Sequence, residues 1–437
     1  MNTEELFTSY LGEGNYGDRY AKLGLSYNPF PRSGTANIND NDRRSFQLMP
    51  VSQEVLRKVL TFITNSLTEN PANPSDKFQS CVIQGDYGSG KTQLLLFIRG
   101  YLREIANNPK YKEVPYVIYI DKPGVSLLEF LGNVISKIGD ENLRKYLWND
   151  IIEKIKNNQD YRTTLDSYTS LQMSLFDSEE ETNPFSNKNT VSYKKFLSTF
   201  TDQIGRIDRR KSFDKDFKNI ITEILYDSTK DAVITNYFYE FISSDYGVNK
   251  AWEELVRGTS KVLSNKEAGI IKYIVRLVKK EGFTDFFILV DEFEDITEGR
   301  LSKVQLDNYI YNLRTLLDEH REWALFFSMN PLAYKKLRSV SPPLADRIST
   351  SVVILNNLDP ETAQSLVRNY VAIGGGVGLG PFTEEAIESL SDKVDGNVRR
   401  FLTQCFCLTE DAVRELDDQN QKIDVEFIDQ HVSEDDI

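Results

Sequence analysis

The sequence predicts an α/β fold in which a parallel β-sheet is covered by helices on both faces, interrupted by a helical insertion and followed by a helical lid. Three observations predict it. Short apolar runs alternate with segments of helical periodicity. A glycine-rich stretch, GDYGSGKT at residues 85–92, stands between one such run and one such helix. A later run, FFILV at 286–290, ends directly in Asp291 and Glu292. Strands buried on both faces read as such continuous apolar runs, where half-exposed strands would alternate.

In chain order, residues 1–49 contain LGLSYNPFPRSGTANI, whose proline and glycine content predicts an extended arm. The core is expected over 50–358. It begins with a helix carrying Val55, Leu56, Val59, Leu60 and Ile63 on one face. FQSCVIQ (Phe78 to Gln84) reads as the first strand, and Leu94, Leu95, Ile98, Leu102 and Ile105 recur at helical spacing after the glycines. VPYVIYID supplies a second strand, Tyr116 to Ile120, and SLLEFLGNVISKIG its helix. Residues from about 140 to 265 exceed what one crossover needs and read as a helical insertion. Within it, DSYTSLQMSLFDSEEETNPFSNKNT is polar and acidic enough to predict an exposed, partly disordered loop. Strands resume at Phe286 to Val290, Leu325 to Ser328 and Val352 to Leu355. Residues 359–437 give three to four amphipathic helices, separated by IGGGVGLGP, as a lid.

The stretch GDYGSGKT satisfies G-x-x-x-x-G-K-[ST] in the strand–loop–helix setting that the pattern requires. Gly85, Gly88 and Gly90 let the backbone of Asp86, Tyr87 and Ser89 curl, so that successive N–H groups and the positive helix end face an anion. Lys91 is then expected on β- and γ-phosphates, and the Thr92 hydroxyl on Mg²⁺. Asp291 and Glu292 emerge at the carboxyl end of a strand, where open α/β sheets bind ligands. Asp291 is the expected metal carboxylate and Glu292 the group that polarises the attacking water. These motifs predict a P-loop NTPase αβα sandwich. DEFED lacks the glycine of D-x-x-G and NKEA lacks the aspartate that reads guanine, so ATP with Mg²⁺ is expected in place of GTP.

Composition narrows the remaining classes. No apolar stretch approaches 18 residues and the opening MNTEELFTSY lacks a basic segment, so no membrane span or secretory signal is expected and the predicted location is cytoplasmic. Three cysteines (Cys81, Cys405, Cys407) and two histidines (His320, His431) do not support a disulfide scaffold or a histidine-based metal site. The net charge of −14 opposes indiscriminate coating of nucleic acid, leaving RIDRRKSFDKDFK (206–218) and KKLR (335–338) as local basic candidates.

With these motifs the chain resembles the AAA+ ATPases, particularly the origin-recognition and Cdc6-like branch, and more distantly the ATP-binding proteins of BREX-type phage defence. WALFFSMNP ends in Asn330, which matches the polar sensor-1 position. PPLADRISTSVVILNNLDPETAQSLV is similar to the segment that carries an arginine finger, here Arg347. DGNVRRFL resembles the sensor-2 motif, with Arg399 the match. The resemblance covers roughly residues 50–135 and 270–430 and implies strand order 5-1-4-3-2. It places Asn28, Pro29 and Phe30 near the adenine, with core packing the other reading of Phe30. The sequence closes with KIDVEFIDQHVSEDDI, a departure from the winged-helix continuation of origin-recognition proteins.

The resemblance implies an ATP-hydrolysing protein that drives assembly or remodelling in a DNA transaction, with phage defence as the setting. A slow ATP-dependent switch that recruits an effector is the alternative. Expected partners are other subunits meeting through nucleotide interfaces, in a homo-oligomer or hetero-complex, together with DNA. The insertion is open to three roles, namely receiving a protein partner, contacting DNA or buttressing the sheet.

Overall fold

A computed structural model describes residues 18–33, 51–67, 80–168, 207–243, 266–297, 301–319, 323–416 and 421–433. Its centre is a five-stranded, all-parallel sheet formed by β1 (Ser80–Gly85), β2 (Pro115–Ile120), β3 (Asp285–Val290), β4 (Ala324–Met329) and β5 (Ser351–Leu355). The strands lie in the order β2-β3-β4-β1-β5, the expected order read from the other edge. Every residue of β3 and β4 is buried, as strands in the middle of a two-sided sandwich must be.

Strand parity sorts the side chains between two cores. Cys81, Ile83, Phe287, Leu289 and Phe326 face α1 (Gln53–Leu67) and α2 (Lys91–Asn107). Leu94, Leu95, Ile98 and Leu102 of α2 meet them at the predicted spacing. On α1 the buried face is Val55, Val59, Phe62 and Ile63, whereas Leu56 and Leu60, expected on that face, are only partly buried. The other sheet face, with Phe286, Ile288, Val290, Leu325 and Phe327, is covered by α3 (Leu127–Ile138), α8 (Glu267–Lys280), α9 (Lys303–Glu319), α10 (Pro331–Val340) and α11 (Pro342–Ile348).

The described part of the insertion is helical: α4 (Asp140–Asn157), α5 (Gln159–Asp166), α6 (Ile207–Thr229) and α7 (Ala232–Ser243). It shares one continuous core with the second sheet face, so these helices extend the sandwich. In the basic run 206–218, Phe213 and Phe217 point into that core. The polar stretch expected to be a loop lies, from residue 169 onward, outside the described residues. A buried ionic centre ties α4 to α8. Asp150, 2% exposed, accepts from Lys280 Nζ at 2.6 Å, Lys154 Nζ at 3.0 Å and the Tyr273 hydroxyl at 2.9 Å.

Residues 360–431 form four helices among the described residues, α12 (Pro360–Ile373), α13 (Glu384–Lys393), α14 (Val398–Glu415) and α15 (Val425–His431), around a third core. The N-terminal segment joins this core and is not simply extended. Asp18–Leu23 is a 3-10 turn, and Tyr20, Leu23, Leu25 and Phe30 are buried among the C-terminal helices. Phe30 stacks on Tyr370, ring centroids 5.4 Å apart, and Asn28 donates to Glu410 Oε1 at 2.9 Å. Core packing is therefore the observed role of Phe30. No helix among the described residues is long and apolar enough to cross a membrane.

Candidate functional site

β1 delivers the glycine-rich loop to the carboxyl edge of the sheet, and α2 starts directly behind it. Gly88 has φ +80°, a conformation that costs an L-residue energy, and a Cβ there would stand 2.6 Å from Asn397 Oδ1. Gly90, at φ 93°, turns the chain into α2 without a side-chain cap, which leaves the first amides of the helix directed at the loop mouth. Within the loop Ser89 N bonds Asp86 O at 3.2 Å, while Tyr87 is 76% exposed. Ser89 Oγ is buried with no hydrogen-bond partner among the described residues. Lys91 Nζ closes the mouth by donating to Gly85 O at 2.8 Å and Asp86 O at 3.1 Å.

Thr92, the second residue of α2, donates to Asp291 Oδ2 at 2.7 Å across 199 positions of sequence. Asp291 is 3% exposed and is the centre of a converging set of donors. The Tyr119 hydroxyl reaches Oδ2 at 2.7 Å, Ser328 Oγ bonds Oδ1, and the Glu292 amide reaches Oδ1 at 3.0 Å. Burial, then the neighbouring Asp291 charge, push the Tyr119 hydroxyl well above its ordinary value, so it remains a donor. The hard oxygens of Thr92 and Asp291 suit a small divalent cation that takes its other ligands from phosphate and water. Among the described residues no three His, Cys, Asp or Glu side chains group as a metal site, so an all-protein cage is not what this centre offers.

Glu292 follows Asp291 with an exposed side chain at φ 49°, ψ 38°, and opens the 3-10 turn Phe293–Ile296. A non-glycine residue in the left-handed region is held there by its surroundings. Here the Glu292 amide is fixed by Asp291 Oδ1 and by Ser328 Oγ at 3.2 Å.

Strand adjacency explains Tyr119 and Ser328, neither of which was expected at the site. β3 lies between β2 and β4, with Val290 paired to Ile120 and to Phe327. One step beyond Phe327, Ser328 comes level with Asp291 on the α2 side of the sheet. The sequence signals are a hydroxyl inside each apolar run, VPYVIYID and LFFSMN. Asn330, expected as the polar sensor, follows two residues later, just past the end of β4. It caps α10 by accepting from Ala333 N at 2.7 Å.

The lid reaches the loop through the start of α14. Asn397 Nδ2 donates to Tyr87 O at 2.7 Å, and Arg399 N donates to Gly88 O at 3.2 Å. The Arg399 guanidinium lies over the Tyr87 ring at 4.6 Å, and its Nε is shielded from solvent with no hydrogen-bond partner among the described residues. Arg399 thus lies against the loop, and Asn397 is an additional contact there with no signal of its own in the motif reading.

Arg347 is not brought there. It lies in the last turn of α11, and its carbonyl accepts from Ser80 Oγ at the start of β1, the opposite end of that strand from Gly85. Six strand residues at about 3.3 Å each separate the two ends. Its guanidinium is tied to Asp318 and to Pro343 O at 2.9 Å. Of the basic stretch KKLR, Leu337 is buried, Lys336 bonds Thr297 O, and Lys335 and Arg338 are exposed. No family model matches the chain, and no characterised protein matches it.

Proposed function

We propose that this chain is a Mg²⁺-dependent ATPase of the AAA+ type that holds ATP between its glycine loop and its lid. The observation that carries the reading is the 2.7 Å hydrogen bond between Thr92 and Asp291, which joins the ends of the two expected motifs at one point. The fit to a phosphate group rests on the loop itself. Its uncapped helix start, the buried partnerless Ser89 Oγ and the nearby Arg399 Nε are donors suited to anionic oxygen.

Lys91 exchanges the Gly85 and Asp86 carbonyls for β- and γ-phosphate oxygens. The loop amides bind the α and β groups, and Arg399 approaches from the lid. Thr92 and Asp291 would hold Mg²⁺, which when bound neutralises charge on the phosphate oxygens. Glu292, exposed beside this centre, orients the attacking water and accepts its proton at the carboxylate. Hydrogen bonds from Tyr119 and Ser328 fix the Asp291 carboxylate in direction. The order of motifs along the chain extends the proposal to nucleotide-driven assembly or remodelling in a DNA transaction.

Lys91→Ala tests the core of the reading, because it removes the positive charge nearest the phosphates. Titration with ATP and Mg²⁺ should show productive binding lost and turnover abolished. Affinity and turnover equal to those of the unaltered chain would refute it.

A further inference from the structure

A cavity of about 380 Å³ lies over edge strand β2, between α2 and the junction of α3 with α4. Small-ligand sites occupy about 300–1,000 Å³. Its lining contains three cations, Arg99, Arg103 and Lys137, and no carboxylate, in a chain whose acidic residues outnumber its basic ones 66 to 52. Arg99 and Arg103 are four residues apart and therefore stacked on one face of α2, with Asn107 one turn on. Lys137 and Asn142 face them from α3 and α4. Lys137 also meets Asp121 at 3.0 Å. Arg99 is only 8% exposed, so its charge is set into the wall. Tyr116 and Phe283 add an aromatic surface, edge to face with centroids 4.8 Å apart.

We propose that this cleft is a second ligand site, distinct from the glycine loop, for a nucleoside monophosphate or a phosphate ester of that size. Guanidinium forks match phosphate oxygens in pairs, which favours phosphate over a single carboxylate. The aromatic pair offers a face for a planar ring. The site also shares a wall with the candidate catalytic centre. The Arg99 guanidinium lies 5.9 Å from the Tyr119 ring centroid, and the Tyr119 hydroxyl donates to Asp291 at 2.7 Å. Any effect of occupancy on hydrolysis rests on the ATPase reading, whereas the existence of the site does not, and the test reads binding.

AMP is titrated calorimetrically into the full chain and into the Lys91→Ala variant, which disables the glycine loop. Both should take up one AMP per chain, with inorganic phosphate weaker by about ten-fold or more. Arg103→Glu and Lys137→Glu, placed at exposed positions, should each weaken AMP about ten-fold while leaving thermal unfolding in place. Four outcomes would overturn the proposal. These are no saturable binding at millimolar AMP, binding that survives both charge reversals, inorganic phosphate binding as tightly as AMP, or single-stranded pentathymidylate binding more tightly than AMP. A chain that binds Mg-ATP but not AMP refutes the second site alone, and one that binds AMP but not Mg-ATP refutes the ATPase reading alone.

Discussion

The Asn397 side-chain amide donates to the Tyr87 carbonyl at 2.7 Å and so fastens the first turn of a lid helix to the glycine loop. Its oxygen accepts from Arg400 N at 3.2 Å and caps that same helix. One side chain therefore serves as donor to the loop and acceptor for the helix. Asn397→Asp keeps the acceptor and loses the donor, whereas Asn397→Ala loses both. Thermal unfolding should show a cost of about 1 kcal/mol for the alanine variant and little for the aspartate. ATP affinity should fall in both. An aspartate variant with undiminished affinity would separate this contact from nucleotide binding.

Glu292 combines a strained backbone, φ 49°, with an exposed carboxylate beside Asp291. Removing the side chain in Glu292→Gly relieves a strain of roughly 1 kcal/mol, so denaturant midpoints should rise while hydrolysis is lost. Glu292→Gln keeps the shape and the strain. It should bind ATP and Mg²⁺ and slow single-turnover hydrolysis by about 10²- to 10⁴-fold. Normal turnover in the glutamine variant would assign the base elsewhere.

Arg347 stands at the far end of β1 from its own glycine loop, so any action on a phosphate must be on that of a neighbouring subunit. An arginine supplied in this way contributes about 10³ to 10⁵ in rate. Arg347→Ala and Glu292→Gln should each be inactive alone. Mixed, they create interfaces that pair an intact Glu292 with an intact Arg347, and activity should return in part. A mixture that assembles yet stays inactive at every ratio would leave Arg347 the role visible within the chain, its pairing with Asp318.

Asp150 provides a pH-dependent element of stability. Burial pushes its carboxyl up, but hydrogen bonding to Lys280 and the charge of Lys154 outweigh this and hold it below the usual carboxylate range. A carboxyl depressed in the folded state adds stability above its unfolded value, near 3.9, and that stability disappears as pH falls through the lower folded value. Asp150→Asn should cost about 2 kcal/mol at pH 7. In denaturant titrations the gap between the two proteins should narrow once the pH drops below about 4. A gap that is constant from neutral to acid pH would show that Asp150 contributes through packing alone.

The sequence by itself determined the elements whose cause is local. A glycine loop between an apolar strand and an amphipathic helix must turn where Gly88 and Gly90 allow positive φ, and FFILVDE must place Asp291 and Glu292 at a strand end. Those constraints act within a few residues, so they are legible without partners. Tertiary structure alone decided what meets Asp291. Tyr119 and Ser328 reach it because β3 is inserted between β2 and β4 in a register that one sequence does not reveal. Tertiary structure also gave Asn330 its observed contact, the cap on Ala333 N, and the crossover before β5 left Arg347 at the opposite edge. Phe30 likewise looks like an arm residue in the sequence. It is buried because the lid core offers Tyr370 and Phe382 as neighbours, and burial of an aromatic ring outweighs the extended preference of a proline-rich segment.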